Sequence, residues 1–278
     1  MPLLCFQDGQ FKNINELSLP IADLGVQRGY GIFDFLRTNE NYAVFLEDHL
    51  DRFFNSASVM HLQIDQTREE IIAIVHHLIK ENKQSFSGFK LILTGGDAVD
   101  GYTISKPRLS IFQQSLQPPP QSIPDNGIHL VSRAYQRQLP SVKTIDYLMA
   151  IWLQPWLNEQ KGDDILYYNE HSVTECPRSN IFMVTKDNII VTPKENMLWG
   201  ITRKNIISLA KQMGLTIEER NIPLAELYAA KEVFISSSTK RIMPVAKIDH
   251  QHSFDTTSNS ITRNLWDAFV ALEKTYCS

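Results

Sequence analysis

From Leu46 to Met60 the apolar residues Leu46, Leu50, Phe53, Phe54, Ala57 and Met60 recur every three or four positions, the period of one face of an α-helix. Thr67–Lys83 repeats the pattern with Ile71, Val75, Leu78 and Ile79. Leu3–Phe6 and Phe11 flank Asp8-Gly9, a dipeptide suited to a tight turn, so the chain is expected to open with a hairpin. Phe89–Thr94 and Leu109–Gln113 read as aliphatic strands. Further on, Asp164–Tyr168, Ile181–Val184, Ile189–Thr192 and Glu232–Ser236 read as strands too. A helix carrying Ile206, Leu209, Ala210 and Met213 stops at Gly214, and a last one runs from about Thr257 with Ile261, Leu265, Phe269 and Leu272 on one face. The mixture predicts an α/β or α+β protein.

The pattern breaks at Gln117-Pro118-Pro119-Pro120-Gln121, with Pro124 just after. Consecutive prolines fix φ and remove amide donors, so this stretch is expected to be a stiff extended connector. It divides the chain into a domain over 1–116, a linker over 117–122 and a domain over 123–278.

Composition narrows the picture modestly. With 43% hydrophobic and 21% charged residues the chain reads as an ordinary globular protein. A net charge of −4 without a long basic run argues against nucleic acid or an anionic membrane as partner. Cys5, Cys176 and Cys277 form neither a disulfide framework nor a metal-ligand spacing. No basic-then-apolar leader opens the chain, and no apolar run approaches the ~18 residues that span a bilayer. The expected compartment is the cytoplasm.

The familiar hydrolase, nucleotide-loop and dinucleotide signatures are absent. His76-His77 sits in the second helix, where neighbouring side chains point apart, so the pair is a poor metal site. Two segments suit a small anion. Gly200-Ile201-Thr202 stands where a loop enters a helix, which would offer unpaired amides at the positive end of the helix dipole; a threonine N-cap after a turn glycine explains it equally well. Ser236-Ser237-Ser238-Thr239 follows the end of an apolar strand and reads either as a ligand loop or as a plain polar loop.

Six segments, in order, resemble the class IV aminotransferases. They are Arg28-Gly29-Tyr30-Gly31-Ile32-Phe33-Asp34, His49-Leu50-Asp51-Arg52, Lys143-Thr144-Ile145-Asp146-Tyr147-Leu148, Val173 to Phe182 with Glu175 and Asn180, Gly200-Ile201-Thr202-Arg203, and Glu232 to Thr239 followed by Met243-Pro244-Val245. The resemblance implies the fold-type IV architecture: a small α/β domain, a larger pseudo-barrel domain, and pyridoxal 5'-phosphate between them, usually in a homodimer. It implies Lys143 as the Schiff-base lysine, which shuttles a proton at the substrate's Cα. Glu175 would face the pyridine nitrogen and keep it protonated. Arg52, Asn180, Ile201, Thr202, Ser237 and Ser238 would join Lys143 and Glu175 in holding the cofactor.

The substrate side is less regular. Phe33-Asp34 replaces a common aromatic-Glu pair, Asp146 a common asparagine, and Gly95 stands where D-amino acid aminotransferases and aminodeoxychorismate lyases carry an arginine. Phe33, Arg37, Gly95 and Tyr147 are the substrate candidates, with Arg37, Arg133 or Arg137 as a carboxylate-binding guanidinium. The expected reaction is amino transfer from an amino acid to a 2-oxo acid. The alternatives are an aminodeoxychorismate lyase, which would release pyruvate and p-aminobenzoate, and a non-catalytic binding protein on the same fold.

Overall fold

A computed structural model of the chain describes residues 3–39, 42–256 and 260–276. The chain forms two compact units. The first holds the described residues of Met1–Pro118, Val142–Asp146 and Lys274–Ser278; the second holds Pro119–Ser141 and Tyr147–Glu273. The division falls inside the proline run. Val142–Asp146, placed by the proline boundary in the 123–278 domain, packs instead with the first unit.

In the first unit the expected hairpin is present as β1 (Leu4–Gln7) and β2 (Gln10–Asn13). A short helix α1 (Leu24–Arg28) leads into β3 (Gly31–Asn39), and β4 (Tyr42–Ala43) precedes the two long helices α2 (Leu46–Val59) and α3 (Arg68–Asn82). Thr67 and Glu70 form a reciprocal capping box at the start of α3, which satisfies amides that the first turn leaves without acceptors. Strands β5 (Phe86–Thr94) and β6 (Arg108–Ser115) complete an antiparallel sheet in the order β2-β1-β6-β5-β3-β4. Its buried face carries Ile32 and Leu36 of β3, Leu91 of β5 and Ile111 of β6. They cluster with Leu50 and Phe53 of α2, with Ile71, Val75 and Leu78 of α3, and with Val142.

The register of β3 positions the chemistry. Side chains alternate along a strand, so Asp34 shares the helix-covered face with Ile32 and Leu36, while Phe33 and Phe35 face the other way. β4 pairs only with the far end of β3, at Thr38 and Asn39. The remaining edge is taken by the returning segment: Phe33 N–H donates to Lys143 O (2.9 Å) and Ile145 N–H to Gly31 O (3.1 Å), with Ile32 opposite Thr144. This two-bond pairing explains why the lysine segment belongs to the first unit.

The second unit begins with β7 (Ile128–Ala134), α4 (Leu148–Trp152), α5 (Gln154–Glu159) and β8 (Asp164–Tyr168). Then come β9 (Asn180–Val184), β10 (Ile190–Thr192), α6 (Ile201–Gln212), β11 (Ile217–Glu219) and α7 (Leu224–Tyr228). β12 (Glu232–Ser237), β13 (Arg241–Ile248), β14 (His252–Ser253) and α8 (Ile261–Lys274) follow. The sheet runs β11-β10-β9-β12-β13-β7-β8, with β14 on β13, and curls into a half-barrel. Every residue of β9 is buried, as expected of a central strand covered on both faces. Phe182 of β9 stacks on its cross-strand partner Phe234 of β12, with ring centroids 4.8 Å apart. The last helix begins at Ile261, later than the expected Thr257, which lies outside the described residues. The carboxylate of Glu232 accepts from the amides of Ile261 (3.1 Å) and Thr262 (2.9 Å), an anion at the positive end of the helix.

The packing of α2 gives a direct test. Phe53 is fully buried whereas Val59 on the same helix is 46% exposed. We expect Phe53→Ala to lower unfolding free energy by ~3–5 kcal/mol and Val59→Ala to change it by less than about 0.5 kcal/mol, both read from urea denaturation.

Candidate functional site

In the first unit, Lys143 lies on the face of β3 that presents Phe33, because Thr144 pairs opposite Ile32. Its ammonium sits 4.5 Å from the centre of the Phe33 ring. Lys90 of β5, cross-strand to Phe35, brings a second ammonium 5.1 Å from the same ring. Sequence patterning did not single out Lys90. Only the strand register places it there.

On the opposite face Asp34 is 1% exposed. A buried carboxylate is costly unless paired and hydrogen-bonded, and Asp34 is both. Arg52 Nε donates to Oδ2 (2.8 Å) and Arg52 Nη2 to Oδ1 (2.8 Å), while His49 Nδ1 lies 2.7 Å from Oδ1 and the Phe35 amide 2.7 Å from the same oxygen. His49 and Arg52 stand three positions apart on α2, close enough on the helix surface to reach one carboxylate. Burial alone would push the Asp34 carboxyl up, but Arg52 and His49 together outweigh it and hold it well below the ordinary range. For His49 burial dominates, and it lowers the imidazole against the opposing pull of Asp34.

In the second unit, three elements meet at Asn180. Its backbone stands opposite Ser236 of β12, and its side-chain amide donates to Leu198 O (2.7 Å). A Cβ built on Gly200 would lie 2.1 Å from Asn180 Oδ1, so only glycine fits there. Gly200 is the residue before α6 and offers no side-chain cap. The opening amides of α6, beginning with Ile201 and Thr202, therefore have no acceptor within the helix. Thr202 lies inside the first turn, which removes it as the N-cap. Ser236 Oγ is buried without a hydrogen-bond partner among the described residues, and Ser237 and Ser238 continue from it at the same end of the sheet. A buried hydroxyl beside uncapped helix amides is a donor set suited to phosphate. Arg203, next in that motif, points elsewhere, to Pro193 O (2.7 Å) and Glu219 (2.9 Å).

Glu175 precedes the tight turn Cys176–Ser179 that opens β9. Its carboxylate is 7% exposed and accepts from two segments: Arg137 Nε at Oε1 (2.7 Å) and the Leu198 amide at Oε2 (2.9 Å). An anion kept buried and oriented in this way suits a protonated ring nitrogen.

The substrate candidates scatter. Arg37 is buried within β3. Arg133 lies over the Trp156 ring at 5.4 Å, and Arg137 is engaged with Glu175 rather than presented as an open carboxylate-binding group. Tyr147 is the residue before α4. A Cβ on Gly95 would lie 2.8 Å from Leu24 Cδ1, so a side chain there would require Leu24 to shift. His76 and His77 are exposed, and no group of three or more His, Cys, Asp or Glu suited to a metal occurs among the described residues.

The sequence pattern of the family described as amino-transferase class IV matches residues 31–248. The chain is 28% identical over 275 residues to a Methanocaldococcus jannaschii protein provisionally named branched-chain-amino-acid aminotransferase, covering 95% of this chain and 94% of that protein. It is also 28% identical over 271 residues to a D-alanine aminotransferase of Staphylococcus epidermidis, covering 95% of each. Among solved structures it shares its fold with a T.th. branched-chain amino acid aminotransferase with pyridoxamine 5'-phosphate. That match has a TM-score of 0.90 at 20% identity, over 99% of this chain and 95% of the other. A Legionella pneumophila protein provisionally named 4-amino-4-deoxychorismate lyase matches with a TM-score of 0.82 at 25% identity, over 94% and 96%.

Two outcomes follow from this geometry. Removing one partner of a buried ion pair costs ~3–5 kcal/mol, so Asp34→Asn should lower stability by that much at pH 7. Because the folded-state value of Asp34 is depressed, its contribution is complete above the unfolded value of about 4 and is lost as pH falls below it. Thermal unfolding of wild type and Asp34→Asn should therefore differ by a constant gap from pH 7 to pH 5 and by a smaller but still measurable gap at pH 3, because the folded-state value lies well below that. Separately, Gly200→Ala should displace Asn180, cost roughly 1–3 kcal/mol, and weaken binding of pyridoxal 5'-phosphate in a fluorescence titration.

Proposed function

The chain belongs to the class IV aminotransferases, which move an amino group between an amino acid and a 2-oxo acid with pyridoxal 5'-phosphate as cofactor, and we propose that Lys143, Glu175 and Arg52 carry that chemistry here. When bound, the cofactor supplies an aldehyde that captures the amine and a ring that accepts the electrons released at the substrate's Cα. Lys143 Nζ would hold the cofactor and, once displaced by a substrate amine, would move a proton at the substrate's Cα. The Phe33 ring beside it excludes water from one side of that amine. Glu175 holds a proton on the ring nitrogen. In the first unit Arg52, its guanidinium oriented by Asp34, is suited to a phosphate; in the second the amides of Ile201 and Thr202 and the hydroxyls of Ser236, Ser237 and Ser238 are suited to one, and Asn180 keeps the start of α6 in place.

The observation that carries this reading is the buried carboxylate of Glu175. A protein that only captured phosphate would have no use for an anion fixed in that way, and desolvating one is expensive. Placement in the cytoplasm is supported by Cys5 and Cys176, which are free, buried thiols. No helix of the described residues is long and apolar enough to cross a membrane. A homodimer is supported by the exposed apolar stripe of Leu148, Ile151 and Trp152 on α4.

The test is an absorbance spectrum of the purified protein with pyridoxal 5'-phosphate, followed by additions of D- and L-amino acids. We expect a yellow band that one class of amino acid bleaches, with the matching 2-oxo acid released. In Lys143→Ala the protein-bound band should be lost and kcat should fall by on the order of 10²–10⁴; unchanged turnover would remove Lys143 from its role. A band unmoved by every amino acid, with pyruvate and p-aminobenzoate formed from aminodeoxychorismate, would replace amino transfer by the lyase reaction.

A further inference from the structure

We propose that Arg137 is the positioning residue that aims the carboxylate of Glu175, a role that rests on the reading of Glu175 as the partner of the cofactor's ring nitrogen. Arg137 lies in the loop between β7 and α4, with its side chain 17% exposed. Its Nε donates to Glu175 Oε1 (2.7 Å) and its Nη2 to the carbonyl of Pro140 (2.5 Å). These two nitrogens form one edge of the planar guanidinium. That edge therefore spans the acid and the turn that leads, three residues later, into Lys143.

The geometry requires two donors. Each carboxylate oxygen can accept more than one hydrogen bond. The Leu198 amide acts on Oε2 and Arg137 Nε on Oε1, so donors from two different segments hold the two oxygens and fix the carboxylate's plane. A lysine ammonium supplies the charge but not the flat two-point edge, so it cannot hold Glu175 and Pro140 in the same relation. Arg137 thus ties Glu175 to the turn at Pro140 within the second unit.

The experiment compares the cofactor-loaded wild type with Arg137→Ala, Arg137→Lys, Glu175→Gln and the double variant. Three quantities are read for each: kcat and KM, the pH course of the cofactor's absorbance band, and the thermal midpoint. A misaimed catalytic group costs on the order of 10–100-fold in rate. We expect a loss of that size in kcat for Arg137→Ala, with KM little changed. Its absorbance band should follow the pH course of Glu175→Gln rather than that of wild type. The double variant should be no slower than Glu175→Gln alone, because two residues acting through one another are non-additive. Arg137→Lys should regain the thermal midpoint without regaining kcat.

Additive losses in the double variant would overturn the proposal, as would an Arg137→Ala band that titrates like wild type. If Glu175→Gln itself leaves both band and kcat unchanged, the reading of Glu175 falls and the role of Arg137 falls with it. That outcome is distinct from failure of Arg137 alone, in which Glu175→Gln is impaired and Arg137→Ala is not.

Discussion

Two backbone hydrogen bonds, Phe33 N–H to Lys143 O and Ile145 N–H to Gly31 O, decide where the Lys143 amine is. They close the edge of β3 left open by the shortness of β4. Strand alternation then does the rest: with Thr144 opposite Ile32, Lys143 must present itself on the face of Phe33 while Val142 enters the core. The lysine's position is set by main-chain pairing, which a change of side chain elsewhere disturbs little. A reactive group that must meet a small ligand within a fraction of an ångström is best carried by a rigid element of this kind.

Each unit holds a buried carboxylate matched to an arginine. Asp34 and Arg52 come from a strand and the helix that covers it; Glu175 and Arg137 come from two loops. Neither pair is a strong argument for stability, since desolvation offsets most of the attraction. Their value is directional. Arg52 meets Asp34 through Nε and Nη2, and Arg137 meets Glu175 through Nε and Pro140 through Nη2, so each planar guanidinium fixes the direction of its partner. On the proposed reading the arginine of the first pair and the acid of the second meet the cofactor, and the same chemistry is used with the roles exchanged.

Much of this was legible along the chain, and the parts that were not have physical causes. Helical periodicity marked α2 and α3 to within a residue or so, because their apolar faces meet one core. Strands β7 and β13 escaped notice. β7 carries His129 and Arg133 amid its aliphatic residues, and β13 contains Pro244, a residue that argues against a strand in an isolated sequence. Lys143 and Glu175 were identified through resemblance, since a lone lysine or glutamate carries no local signal. The partnership of Arg137 with Glu175 was out of reach: 38 positions separate them, and no period connects two loops. Gly95 had the same difficulty in reverse. Its neighbour Leu24, 71 positions away, could not be placed beside it from the sequence.

The return of Val142–Asp146 to the first unit also bears on how this protein can be divided. The proline run looks like a natural place to cut, yet a fragment ending there would lack the strand that covers one edge of β3. It would expose unpaired amides and carbonyls along that edge and leave a hole where Val142 belongs. Such an edge is a template for pairing with other chains. The two units are therefore inseparable as genetic modules: the first is completed only after the ribosome has entered the second, and the residue that completes it, Val142, is the neighbour of Lys143.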